Sequence, residues 1–254
     1  MKLTEQVVLV TGASRGLGRE IAKAFHREGA KVVINYFQSK DKAEALVNEL
    51  GETRAIAIQA DVREQTEVEE MFKRARDHFK QPIATVVNNA LMDFKFDPIE
   101  QKSAEAINWN DYVKQFEGSV KASLQTIQAA LPAMKENKFG RIINIGTNLF
   151  QNPVVPYHEY TTAKAALLGF TRNMARDLGP HNITVNMVSG GLLQKTDASS
   201  ATTDEVFELI RESTPMQQVT TPEDLAQAVL FFASPWARAV TGQNLVVDRG
   251  LVMD

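Results

Sequence analysis

Tyr160 and Lys164 stand four residues apart in a stretch of helical pattern, so their side chains share one face a single turn apart. A free phenol titrates near pH 10, and an ammonium beside it favours the phenolate, which brings the proton within range of acid–base work. An isolated Tyr-x-x-x-Lys is common on solvated helix faces; this one gains weight by following the fifth of a series of apolar runs. That run ends in Ile145-Gly146-Thr147, and Thr147 offers a hydroxyl at the same edge. Near the start of the chain an apolar run leads into Thr11-Gly12-Ala13-Ser14-Arg15-Gly16-Leu17-Gly18, after which a helical pattern begins. Glycines at such a turn let the backbone approach a pyrophosphate, and the helix start adds free amides and a positive dipole end. Gly12, Ser14, Arg15, Gly16, Leu17 and Gly18 therefore read as a dinucleotide-binding loop, with the spacing Gly-x-x-x-Gly-x-Gly rather than Gly-x-Gly-x-x-Gly.

These groups need a scaffold that brings them to one edge. Apolar runs of strand length lie at Val7–Thr11, Lys31–Tyr36, Arg54–Ala60, Ala84–Asn88, Arg141–Ile145, Thr184–Val188 and Leu245–Val247. Helical patterns fall near 15–28, 40–50, 64–79, 110–137, 159–178, 203–213 and 222–233. Continuous apolar strands separated by helices mean a parallel sheet covered on both faces. The expected fold class is α/β, a doubly wound parallel sheet of Rossmann type with about seven strands, as a single domain over residues 1–254. Two stretches break the rhythm after predicted strands: Leu91 to Asn110, which carries Pro98, and Ser189 to Thr202, rich in Gly, Ser and Thr. Both read as substrate-side loops or lids.

At the end of the second strand an NAD enzyme carries an acid for the ribose 2′-hydroxyl. Here the residues run Asn35, Tyr36, Phe37, Gln38, Ser39 and Lys40, with no acid, while Arg15 supplies a guanidinium suited to a 2′-phosphate. The expected cofactor is NADP(H). Asp61-Val62 and Asn88-Asn89-Ala90, at the ends of the third and fourth strands, are placed to line the adenine and ribose pockets.

Composition narrows the chemistry further. With 28 Lys and Arg against 31 Asp and Glu the net charge is −3, which argues against nucleic-acid and anionic-membrane partners. The chain has no cysteine, which excludes disulfides, thiol nucleophiles and thiolate-bound zinc, and its four histidines show no metal-site spacing. No apolar run approaches the ~18 residues of a membrane helix, and the expected location is cytoplasmic with no processed leader.

Over about residues 4 to 250 the chain resembles the short-chain dehydrogenase/reductase family: Thr11 to Gly18, Asp61-Val62, Asn88-Asn89-Ala90, Tyr160-x-x-x-Lys164, Val185-Asn186 and Thr241-Gly242-Gln243 match its pattern in order. Within the family, Arg15, the acid-free second strand and Gly140-Arg141-Ile142-Ile143-Asn144-Ile145 look most like 3-oxoacyl-acyl-carrier-protein reductases. The resemblance implies that Tyr160 donates a proton to a substrate carbonyl as hydride leaves the nicotinamide, and that Lys164 lowers the tyrosine pKa and holds the nicotinamide ribose. It places Thr147 where the family has its catalytic serine, and Ser119 where it has a helical asparagine whose backbone holds a relay water. Gly190 and Leu193, after the sixth strand, complete the implied cofactor set. The implied substrate is a small molecule or acyl thioester, with acyl carrier protein as a partner. The implied assembly is a homotetramer built on the helices containing Ser119 and Tyr160, where Ala163, Ala165, Ala166 and Gly169 permit close approach.

Several positions depart from the family pattern. Leu91 follows Asn-Asn-Ala where glycine is usual, Gly190-Gly191 replaces Pro-Gly, and Asp248-Arg249-Gly250 replaces Asp-Gly-Gly. Trp109, Tyr112, Phe94 and Phe96 could line an acyl site or pack in the core, and His158 should point away from Tyr160. Two alternatives stay open: a family member acting on another ketone or alcohol, such as a steroid, sugar or quinone, and a non-catalytic nucleotide-binding protein.

Overall fold

In the computed structural model the strands are β1 (Val7–Val10), β2 (Lys31–Tyr36), β3 (Ala55–Gln59), β4 (Thr85–Asn88), β5 (Gly140–Thr147), β6 (Ile183–Gly190) and β7 (Asn244–Val247). The helices are α1 (Gly16–Arg27), α2 (Lys40–Leu50), α3 (Gln65–Phe79), α4 (Trp109–Phe116), α5 (Ala122–Asn137), α6 (His158–Leu178), α7 (Asp204–Ser213) and α8 (Pro222–Ala233). The structure describes every residue except Asp93, Pro98, Lys195, Asp197, Ala198 and Asp254; Pro98, part of the first expected lid, thus lies outside the described residues.

The strands pair in parallel in the order β3-β2-β1-β4-β5-β6-β7, which is the expected doubly wound sheet. Alternate residues of each strand feed opposite layers. Val8, Val10, Val32, Ile34 and Val87 pack with Ile21, Phe25, Leu46, Leu225 and Val229 from α1, α2 and α8. Val7, Leu9, Val33, Val86 and Ile142 pack with Val68, Met71, Ile127, Met134 and Leu178 from α3, α5 and α6. Burial on both faces explains why these strands read as unbroken apolar runs.

Three elements depart most from the expected bounds: β5, β6 and the helical stretch after β4. β5 and β6 run past their apolar stretches because the added residues pair with one another, Gly146 with Ser189 and Thr147 with Gly190, and Ser189 Oγ donates to Asn244 Oδ1 at 2.7 Å. Asn144 Nδ2 donates to Thr171 Oγ1 at 2.8 Å, and Asn186 Nδ2 to the Val240 carbonyl at 2.9 Å. The helical stretch expected over 110–137 is α4 and α5 joined by a π-helical turn, Glu117–Lys121. Gly118 in that turn lies against Met92: a Cβ there would come within 2.9 Å of the methionine Cβ. The wider turn lets helix and loop meet, and such π turns often mark functional sites.

Phe25 of α1 is wholly buried, whereas Leu209 of α7 is 62% exposed. Phe25→Ala should cost about 3–5 kcal/mol of folding free energy in urea unfolding, and Leu209→Ala within about 0.5 kcal/mol. Equal effects would contradict this assignment of core and surface.

Candidate active site

The sheet order reverses between β1, which pairs with β2 on one side, and β4 on the other. In such sheets the crevice beyond the strand ends at this reversal is where ligands bind. The glycine loop fills its floor with backbone. Gly12 has φ +62°, and a Cβ on it would approach Ala90 Cα to 2.9 Å; a Cβ on Gly18 would come within 2.6 Å of Asn89 Nδ2 and 2.9 Å of Ala13 Cα. Thr11 Oγ1 accepts from the amides of Asn89 (2.9 Å) and Ala90 (3.0 Å), fixing the turn after β4 against the loop. Asn35 ties in β2 and β3, with Oδ1 accepting from Gly12 N at 3.2 Å and Nδ2 donating to the Ala60 carbonyl at 3.0 Å. Arg15 is the exposed N-cap residue of α1, Ser14 is buried, and Leu17 is partly buried beside the core. The amides of Gly16, Leu17 and Gly18 begin the helix and have no acceptor within it. The result is a cradle without side chains, closed on three strand ends and carrying free donors, which fits a pyrophosphate.

The other expected cofactor residues lie along the same edge. Asp61 and Val62 follow β3, where Arg63 grips the Asp61 carboxylate through Nε at 3.0 Å and Nη2 at 2.7 Å. That hydrogen bonding holds Asp61 below the usual carboxylate range. Asn88 turns inward: Nδ2 donates to Asn144 Oδ1 at 2.9 Å and Oδ1 accepts from Thr126 Oγ1 at 2.7 Å. Gly190 pairs in register with Thr147, and Leu193 bridges to Thr220.

Thr147, Tyr160 and Lys164 are brought together where β5 ends and α6 begins, and all three are buried. Lys164 Nζ donates to the Ile145 carbonyl at 2.7 Å and lies 5.9 Å from the Tyr160 ring centre. Burial brings Lys164 down to about 8. Tyr160 does not show the depressed pKa expected of a phenol beside an ammonium. Burial pushes it up to about 12, against a smaller opposing pull from its hydrogen bond with Thr147. The physical reason is a cover of aromatic rings. Phe94 stacks on Tyr160 with ring centres 4.6 Å apart and planes 17° from parallel, and Phe96 meets it edge-on at 5.2 Å. Tyr157 closes the cluster, 5.3 Å from Phe94 and 5.8 Å from Phe96. Of the four aromatic residues with two expected roles, Phe94 and Phe96 therefore sit on Tyr160, whereas Trp109 is exposed and stacks on Tyr112.

Ser119 lies in the π turn and lines a small cavity together with Lys164. Thr11, Asn88, Ala90 and Ser123 also line this cavity, which has about 10 Å³ of room for the centre of a water, enough for one. Tyr157, Asn144 and Thr126 were not legible as site residues: an aromatic, an amide and a hydroxyl inside regular elements carry no local signal until their neighbours are known. Among the described residues no cluster of acids and histidines could hold a metal ion.

The depressed Lys164 value has a consequence for folding. Between about pH 8 and the ordinary lysine range, the unfolded chain holds a proton that the folded chain has shed. Stability should therefore rise with pH through that window. Comparing urea unfolding of the wild type with Lys164→Met at pH about 7.5 and about 9.5 isolates the effect. The wild type should gain on the variant at the higher pH, and a gap independent of pH would contradict it.

Comparisons with known proteins cover the whole arrangement. A family model described as enoyl-(acyl carrier protein) reductase matches residues 12–252. The 3-oxoacyl-[acyl-carrier-protein] reductase FabG of Staphylococcus epidermidis is 35% identical, over 96% of this chain and 98% of that one. The hydroxynaphthalene reductase-like protein Arp2 of Metarhizium robertsii is 33% identical over 98% and 96%. The crystal structure of 3-ketoacyl-(acyl-carrier-protein) reductase from Brucella melitensis complexed with NADH superposes with a TM-score of 0.88 at 28% identity, covering 99% of this chain and 100% of that one. Strand order, glycine cradle, buried Tyr160–Lys164 pair and full-length similarity agree: the chain belongs to the short-chain dehydrogenase/reductase family.

Proposed function

We propose that this chain is an NADPH-dependent reductase that converts the 3-oxo group of an acyl thioester to a hydroxyl. The observation that carries the reading is the convergence of Thr147, Tyr160 and Lys164 at the sheet edge that also bears the glycine cradle. The relatives named as 3-oxoacyl-acyl-carrier-protein reductases supply the substrate class.

The amides of Gly16 to Gly18 and the open backbone at Gly12 hold the pyrophosphate, Asp61, Val62, Asn88 and Ala90 line the adenosine half, and Gly190 and Leu193 the nicotinamide half. Bound NADPH supplies the hydride. Tyr160 gives its hydroxyl proton to the carbonyl oxygen, while the Thr147 hydroxyl donates a hydrogen bond to the same oxygen as charge develops there. Lys164 stabilises the tyrosinate left behind, and the Ser119-lined cavity gives a water a place beside Lys164 to return the proton. A substrate must displace Phe94 to reach Tyr160, which opens the phenol and brings its pKa down from the dry value.

Arg15 selects the phosphorylated cofactor, because the β2 end offers no acid and Asn35 is spent on Gly12 and Ala60. NADH in the Brucella structure makes direct comparison of the two cofactors the relevant measurement. The acyl group arrives on acyl carrier protein. The assembly is a homotetramer formed by α4–α5 and α6; Ala163 is fully buried within its own chain, which leaves Ala165, Ala166 and Gly169 as the close-approach surface. Among the described residues no helix is long and apolar enough to cross a membrane, and the proposed location is cytoplasmic.

Three measurements test this reading. NADPH should bind more tightly than NADH, and Arg15→Ala should weaken NADPH alone by about 1–3 kcal/mol; equal affinities in direct titration would sink the assignment. With acetoacetyl thioesters and a panel of ketones as substrates, Tyr160→Phe should lower turnover by about 10²–10⁴-fold with cofactor binding retained. Thr147→Ser should stay active and Thr147→Val should not. Near-wild-type turnover of Tyr160→Phe would exclude the tyrosine as acid. Light scattering should give four times the chain mass, and a monomer at micromolar concentration would refute the assembly.

A further inference from the structure

The segment Gly191–Gln194 leaves β6 beside Thr147, and it is held at both ends by contacts that converge on the C-terminal residues Asp248 and Arg249. At the first end, a Cβ on Gly191 would lie 3.0 Å from both Asn148 Nδ2 and Asp248 Cβ, so the main chain rests directly on that pair. Asn148 immediately follows Thr147. Its Nδ2 donates to Asp248 Oδ2 at 2.9 Å, and the carboxylate also accepts from the amides of Gly250 (3.1 Å) and Val252 (3.0 Å). Both side chains are buried. At the other end, Leu193 bridges to Thr220 and Gln194 N donates to the Thr220 carbonyl at 2.8 Å. The next residue, Thr221, caps α8 by accepting from Asp224 N at 3.1 Å, and the Asp224 carboxylate takes a hydrogen bond from the Arg249 guanidinium.

Arg249 occupies a position where glycine would be free of strain: its φ is +62°, in the left-handed region that is costly for other residues. The chain keeps an arginine there, and the bond to Asp224 is what the arginine gains. The Arg249 carbonyl also accepts from Met216 N at 3.4 Å, and a Cβ on Gly250 would press on Pro215 at 3.1 Å, so the connection between α7 and α8 is drawn into the same assembly.

We propose that Asn148, Asp248 and Arg249 are positioning residues that clasp Gly191–Gln194 at both ends and hold it in register with Thr147, so that the surface meeting the nicotinamide is set before the cofactor arrives. None of the three touches the reacting atoms; they act through the segment. The proposal rests on the NADPH reading above.

The test is titration of NADPH by nicotinamide fluorescence, with thermal melting measured alongside. Arg249→Gly removes the ion pair while relieving the backbone, so the variant should fold. It should bind NADPH roughly tenfold more weakly, the size of one lost charge-assisted hydrogen bond. Arg249→Lys restores the cation and should recover most of that affinity. Asn148→Ala frees the other end, and the double variant should lose less than the product of the two single losses, because a segment released at one end has less to lose at the other. Unchanged affinity in both single variants, even with lowered melting, overturns the clasp, as do losses that multiply independently. A wild-type protein that binds neither NADPH nor NADH overturns the cofactor reading as well, and that titration tells the two failures apart.

Discussion

Parallel register at the carboxyl edge is the constraint on which the site depends. β1, β4, β5 and β6 are buried on both faces, so a slip of one residue would send the side chains of Val8 and Val10 into the wrong layer and mismatch the partners along the strand. With register fixed, Asn88 stands opposite Asn144 and Thr147 opposite Gly190. The buried hydrogen bonds running from Thr126 through Asn88 and Asn144 to Thr171 then lock β4 and β5 to α5 and α6. A polar chain of this kind is costly if incomplete and specific when satisfied. It sets the height of α6, and hence of Tyr160 and Lys164, against the end of β5.

That placement makes Tyr160 and Lys164 dry, which has two opposed effects. Burial strengthens each electrostatic interaction, so the short contact between Lys164 and the Ile145 carbonyl orients the amine firmly. Burial also disfavours charge, so it raises Tyr160 and lowers Lys164, leaving the pair reluctant to ionise while the aromatic cover is in place. Phe94 holds this balance in place, because it lies directly on the Tyr160 ring. The covering side chain thus comes from the connection after β4 rather than from the sheet.

The departures from the family pattern lie outside the glycine loop. Gly190, where proline is usual, lies against Leu225, which a Cβ would approach to 3.2 Å. Gly118, beside the substituted Ser119, admits Met92 against the π turn. Arg249 turns a glycine position into an ionic link with α8. The glycine loop tolerates none of this latitude: Gly12 and Gly18 face backbone atoms that cannot yield, whereas Gly190 and Gly118 face the side chains of Leu225 and Met92, which can repack.

The sequence by itself determined the fold class, the strand order of events along the chain, and the positions of the cradle and of the Tyr160–Lys164 pair. These are local signals, carried by apolar period, by glycine at a strand-to-helix turn and by helical spacing. It also placed Thr147 at the edge, although the extra length of β5 and β6 was hidden by polar residues whose partners lie far along the chain. Only the tertiary structure decided the electrostatic state of Tyr160, because the rings that lie on it, Phe94 and Phe96, come from a separate connection and are backed by Tyr157. Only there does Asn148 meet Asp248, a hundred residues apart in sequence. Spacing along a chain reports which groups share a turn or a face; the solvent each group loses is set by whatever folds over it, and that is a property of the packed molecule alone.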